Sequence, residues 1–190
     1  ELKRPTLNCE RRRAIRGHTG EHISSVWPPA FVYQEASIMP LTQEQQEAVA
    51  EIFQEWQKPE PRPALLFGVT GSGKTQVYMR LIQEVLEEGK QAIVLIPEIA
   101  LTYQTVRRFY AMFGDKVSVL NSRLSQGERS DQMERVRRGE VDVMIGPRSA
   151  LFTPFSNLGL IVIDEEHEPT YKSEQVPRYH ARETAIRRAQ

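Results

Sequence analysis

"ALLFGVTGSGKTQVYMRLIQEVLEE", residues 64–88, joins an apolar run to a glycine-rich turn and the turn to a helix. The run at 64–67 has the composition of a buried strand. Val77, Leu81 and Val85 recur at every fourth residue, the stripe of an amphipathic helix that Gly89 can end. Between strand and helix, "GVTGSGKT" at 68–75 fits the pattern G-x-x-x-x-G-K-[ST]. Gly68, Gly71 and Gly73 permit backbone conformations closed to other residues, so that successive amides, those of Thr70 and Ser72 included, converge on phosphate oxygens. The helix N-terminus adds its partial positive charge. In such a loop Lys74 reaches the β and γ phosphates and the Thr75 hydroxyl holds magnesium, so the expected ligand is ATP with Mg2+.

Outward from this loop the chain alternates. Apolar strands are predicted at 64–67, 91–96, 116–120, 141–145 and 158–163, with helices at 76–88, 100–113 and 127–138 between them. Strands separated mainly by helices need crossover connections, which predicts an α/β fold with a mostly parallel sheet covered by helices on both faces. Ligands in such sheets sit at the carboxyl ends of the strands. Upstream, Thr42 reads as the N-cap of a helix over 43–57 in which Ala48, Ile52 and Trp56 are spaced by four. Residues 1–40, with Pro28, Pro29 and Pro40 and no sustained period, read as an irregular linker or the end of a preceding domain.

The last predicted strand runs into "DEEH", Asp164 to His167. Unpaired charges at the end of a buried strand are costly to desolvate. A cation beside bound phosphates removes that cost: Asp164 can complete the magnesium shell, and Glu165 can orient or deprotonate the attacking water. Reading the same acids with His167 as a zinc site fails for want of matched ligands elsewhere.

The bulk numbers are neutral on partners. Lys plus Arg and Asp plus Glu both number 25, with 39% hydrophobic residues in a chain of 190, which suits a globular domain without an overall basic surface. Lys3, Arg4, Arg11, Arg12, Arg13 and Arg16 crowd the first segment and leave the rest acidic. The single cysteine, Cys9, excludes an internal disulfide, and no apolar run is long enough for a membrane span, so a cytoplasmic location is expected. The abrupt ends, the last inside the basic helical stretch "HARETAIRRAQ", suggest a fragment.

The phosphate loop paired with Asp-Glu-x-His resembles the superfamily 2 helicases and translocases. The blocks "LTQEQ", "GVTGSGKTQVY", "IPEIALTYQ" and "GPRSALFTPFSNLGLIVIDEEHEPTYKSEQVPRYHAR" narrow the resemblance to the bacterial replication-restart helicases, over about residues 41–190. This resemblance implies a RecA-like P-loop NTPase fold and the first motor lobe of an ATP-dependent 3′ to 5′ DNA helicase that assembles primosomes at stalled forks. It implies that Gln45 reads adenine and that His167 couples the acid cluster to the segment after it. It also implies strand contacts from 97–102, from Ser122 and Arg123 in "NSRLS", and from Arg148 and Ser149 in "GPRSALF", with Asn121, Arg123 and Pro147 as departures from the family pattern. Tyr171, Lys172, Tyr179 and Arg182 fall in an aromatic-rich loop, whose rings either stack on bases or cover the core while its cations meet phosphates. The implied partners are forked and single-stranded DNA, other primosome proteins and single-stranded DNA-binding protein. Residues 1–40 would then close a DNA-binding domain. A second lobe with an arginine directed at the nucleotide, and a cysteine-rich zinc segment, would lie beyond residue 190. Two other readings stay open: a nucleotide-dependent loading module without hydrolysis, and a related translocase acting on duplex DNA or RNA.

Overall fold

Four of the five apolar segments pair into a sheet in the computed structural model, which describes residues 40–69 and 71–190. These strands are β1 (Gln91–Leu95), β2 (Val117–Val119), β3 (Val143–Gly146) and β4 (Leu158–Ile163). They are all parallel, in the order β2-β3-β1-β4, with Ala92 beside Val143 on one side and Val94 beside Val162 on the other. Alternation along β1 divides the core. Ala92 and Val94, with Val143 and Ile145, pack under Tyr78, Ile82, Val106 and Phe109; Ile93, Leu95 and Met144 face Val136, Leu151, Ala181 and Ala185. With β1 wholly buried, each large side chain there contributes about 1.5–3 kcal/mol of burial.

Among the described residues five helices supply the covering layers: α1 (Gln43–Trp56), α2 (Lys74–Glu87), α3 (Tyr103–Phe113), α4 (Gln126–Arg137) and α5 (Ala181–Ala189). Hydroxyl caps start three of them. Thr42 and Ser125 form capping boxes with Gln45 and Glu128, and Thr102 accepts from the Thr105 amide, so α3 begins after Thr102 and not at Ala100 as its apolar pattern suggested. Gly114 caps the end of α3, and Gly89 and Gly139 follow α2 and α4 with positive φ.

The strand predicted at 64–67 is a correction: the segment leads into the phosphate loop without joining the sheet ladder. Leu66 packs with Val49, Val77, Leu81 and Leu160, whereas Leu65 and Phe67 are 75% and 92% exposed. β4 is the edge strand on that side, and without a partner strand an apolar run has composition but no ladder. Residues 1–39 and Thr70 lie outside the described residues, and with them the linker reading, Cys9 and the early arginines. Among the described residues no helix is long and apolar enough to cross a membrane.

The parallel topology gathers the quoted motifs at one edge. Pro97 follows β1, Asn121 comes after β2, Pro147 follows β3 and Asp164 follows β4, all at carboxyl ends.

Candidate nucleotide and magnesium site

The helix that follows the glycine loop begins differently from α1, α3 and α4. Gly73 occupies its N-cap in the left-handed region, φ 83 and ψ 20, and no side chain caps it. First-turn amides of a helix have no partner of their own and need one. Here no side chain serves them, while the Gln76 amide turns back to the Gly73 carbonyl at 2.9 Å, an arrangement that suits an anion site. A Cβ on Gly73 would stand 2.3 Å from Gln45 Nε2, so the loop passes tightly beneath that side chain. Gln45 in turn donates from Nε2 to the Ser72 carbonyl at 3.1 Å and accepts at Oε1 from the Thr42 amide at 3.0 Å. The glutamine expected to read adenine is thus fastened to the phosphate loop. Lys74 donates to the Gly68 carbonyl at 2.7 Å and the Val69 carbonyl at 3.2 Å, so its ammonium spans the loop it is expected to serve.

β4 delivers the acids to the same place. The Asp164 amide donates to the Leu95 carbonyl, extending the β4 ladder, and the Asp164 Oδ1 accepts from the Glu165 amide at 3.1 Å. Its Oδ2 accepts from the Tyr78 hydroxyl at 3.2 Å, and the same hydroxyl lies 3.4 Å from Thr75 Oγ1. The two expected magnesium ligands therefore meet through one phenol. Burial, and then the neighbouring Glu165 charge, raise the Asp164 carboxyl above the usual range; the Tyr78 hydrogen bond and Lys74 act the other way. A carboxylate held in that setting is one that a cation would stabilise. Hydroxyl, carboxylate and phosphate oxygens are a donor set suited to Mg2+, which needs no cage of protein ligands. The residues present fit that ion.

Glu165 stands at φ 49, the only positive φ on a non-glycine among the described residues, in a region costly for a side chain of its type. Its side chain is partly exposed, and His167 Nε2 lies 3.7 Å from its Oε2.

The residues expected to contact a nucleic-acid strand divide into two groups. Arg123 and Lys172 are exposed. Arg148 is held: its Nη1 donates to the Thr170 carbonyl at 2.8 Å and the Lys172 carbonyl at 3.0 Å. Arg182 pairs with Glu166 at 3.3 Å, and Tyr179 packs edge-on to Phe152 with ring centroids 5.1 Å apart. Ser149 is half-buried beside Arg148. Tyr171 covers the core. Its ring is 1% exposed, and its hydroxyl donates to the Asp164 carbonyl at 2.6 Å and lies 3.0 Å from the Leu95 carbonyl, which leaves no free face for stacking. Sequence reasoning passed over Tyr78, although a tyrosine three residues after Thr75 lies one helical turn on and on the same face. It also passed over Glu98, whose carboxylate accepts from the Ser122 amide at 2.6 Å and ties two strand-end segments together.

The sequence pattern of the DEAD/DEAH box helicase family matches residues 42–188. The chain belongs to that family. Among its relatives, this helicase chain is 50% identical over 159 residues to replication restart protein PriA of Bacillus subtilis, covering 84% of the chain and 20% of the relative. It is 53% identical over 126 residues to the protein of the same name from Haemophilus influenzae, covering 66% of the chain and 17% of the relative. The helicase chain thus spans about a fifth of the length of the curated relatives it matches. Among solved structures it is similar to RecG bound to a three-way DNA junction, with a TM-score of 0.60 and 32% identity over 68% of this chain and 18% of that one. A helicase domain of this family implies nucleotide and magnesium use in general, which agrees with the donor set described above.

Proposed function

We propose that this chain is the first, ATP-binding lobe of an ATP-dependent DNA helicase that moves 3′ to 5′ and acts at stalled replication forks in the cytoplasm. The observation that carries the reading is the meeting of Thr75 and Asp164 on the Tyr78 hydroxyl, which brings the start of the helix after the phosphate loop within reach of the acid cluster. Support for the biological setting comes from the relatives named PriA and from the junction-bound RecG neighbour.

In this reading the loop amides and the uncapped α2 N-terminus bind the phosphates, and Lys74 leaves the Gly68 and Val69 carbonyls to meet the β and γ oxygens. Gln45 would read the base. Thr75 and Asp164 would hold magnesium, which supplies neutralisation of the charge shared between β and γ phosphates. Glu165 orients water in line with the γ phosphorus and takes its proton as the bond to the leaving ADP breaks. Arg123 and Lys172 are exposed for backbone phosphates, which a motor indifferent to sequence must grip. The loop at 169–180 links the two activities through Tyr171, whose hydroxyl holds the Asp164 carbonyl, with His167 beside Glu165. Forked or single-stranded DNA, primosome proteins and single-stranded DNA-binding protein are the partners of the intact protein.

A second lobe would bring an arginine to the developing charge, a contribution of about 10³–10⁵ in rate for such arginines. The test is Glu165→Gln in the full-length protein, with ATP hydrolysis measured with and without single-stranded DNA. DNA-stimulated hydrolysis should fall at least about a hundredfold while ATP binding persists. Undiminished stimulated hydrolysis would remove Glu165 from the chemistry.

A further inference from the structure

Tyr78 is nearly buried, 5% exposed, at a place where packing alone would be served by phenylalanine. Its ring stacks on Phe109 with centroids 6.3 Å apart and an interplanar angle of 19°, inside the cluster under β1 and β3. The hydroxyl lies at the far end of the ring, between Thr75 and Asp164. The hydroxyl has one proton, and an ionised carboxylate only accepts, so the proton belongs to Asp164 Oδ2 at 3.2 Å. The phenol oxygen keeps its lone pairs for the Thr75 hydroxyl at 3.4 Å.

The rest of the Asp164 carboxylate is held as firmly. Oδ1 accepts from the Glu165 amide, and the main-chain carbonyl accepts from Tyr171 at 2.6 Å. Each carboxylate oxygen still has a lone pair to offer. Of these restraints, the Tyr78 hydroxyl is the one that reaches both expected ligands, one from α2 and one from the end of β4.

We infer that Tyr78 is a positioning residue that sets the spacing between the Thr75 hydroxyl and the Asp164 carboxylate, and so fixes the affinity of the nucleotide-loaded site for its divalent cation. The inference rests on the proposed function and deepens it. Groups that hydrogen-bond to metal ligands orient them, and their loss costs about 10–100-fold in metal affinity. Tyr78→Phe keeps the ring on Phe109 and removes only the donor.

The test is binding of a methylanthraniloyl-labelled ADP to wild type, Tyr78→Phe and Phe109→Leu, in EDTA and across a Mg2+ titration, with melting temperatures alongside. The expected result is that Tyr78→Phe binds ADP in EDTA within about twofold of wild type but needs about tenfold more Mg2+ for half-saturation. Phe109→Leu should melt lower and leave the Mg2+ midpoint in place. An unchanged midpoint in Tyr78→Phe overturns the inference. So does a parallel loss of ADP binding in EDTA, or an equal midpoint shift in Phe109→Leu, since both would make the role one of packing. A wild type whose ADP binding ignores Mg2+ would instead defeat the nucleotide-site reading itself, and the inference with it.

Discussion

Replacing Gly73 with alanine adds two local costs in a way that can be measured. The residue sits at φ 83, and a Cβ there would lie 2.3 Å from Gln45 Nε2. Left-handed backbone alone costs alanine about 1–2 kcal/mol. Pushing the glutamine aside also breaks its bond to the Ser72 carbonyl, a loss of about 1 kcal/mol. The combined cost is about 2–3 kcal/mol, and where it falls on the loop in its binding geometry, ATP affinity drops by up to about a hundredfold. Gln45→Ala by itself loses the Ser72 bond and the reciprocal capping contact to the Thr42 amide, about 1–2 kcal/mol. With both changes made, the collision is gone and the shared bond is lost once, so the pair should cost about 1 kcal/mol less than the separate costs combined. Urea denaturation of the four proteins, with labelled ATP titrated into each, reads both quantities. Additivity within about 0.3 kcal/mol would refute the contact between Gln45 and the loop.

Three more outcomes follow from the same geometry. Glu165→Gln should bind ATP but hydrolyse it at least about a hundredfold more slowly in the full-length protein, and preserved DNA-stimulated turnover would contradict the role given to that carboxylate. Asp164→Asn should be more stable than wild type near neutrality in EDTA, because burial and the Glu165 charge raise the wild-type carboxyl above its unfolded value. Below the ordinary carboxylate range both states are protonated and there is no difference; as pH rises through the raised folded value, the wild type loses stability relative to the variant. A denaturation gap that widens toward acid would reverse that sign. Arg148→Ala should free the loop at 169–180, since it removes charge-assisted bonds to the Thr170 and Lys172 carbonyls worth about 1.5–3 kcal/mol. Amide exchange there should quicken by about tenfold or more while β1 stays protected, and unchanged exchange would show that the arginine does not hold the loop.

How far the fold could be read in advance followed the range of the interactions. Helix starts at Thr42 and ends at Gly114 are settled within a turn, so local residues announce them. The stripe of Val77, Leu81 and Val85 was equally plain, and all three side chains are buried. Residues 64–67 show the opposite case. Their apolar composition matches that of β1, yet a ladder needs a partner at the right distance, and β4 ends the sheet on that side. Strand composition states what a segment could bury, whereas pairing depends on chain far away in sequence.

The site divides on the same line. Loop glycines, Lys74 and the acids were legible because phosphate and magnesium chemistry dictates residue types at fixed spacing. What the side chains do to one another was not. Arg148 reads as a cation for a phosphate, but the 3-10 turn it begins sets its guanidinium against the carbonyls of 170 and 172. Tyr171 sits among tyrosines and cations that suggest stacking, while the turn at Pro169–Tyr171 swings its ring inward to the ends of β1 and β4. In both cases a short turn of backbone decided what the side chain meets, and no period in the sequence encodes that choice. The consequence for function is physical. Arg148 spends only Nη1 on the loop's carbonyls, so a strand phosphate met by its remaining N–H groups would be tied to the segment that carries Tyr171, and through the 2.6 Å hydrogen bond of that phenol to the backbone that carries Asp164.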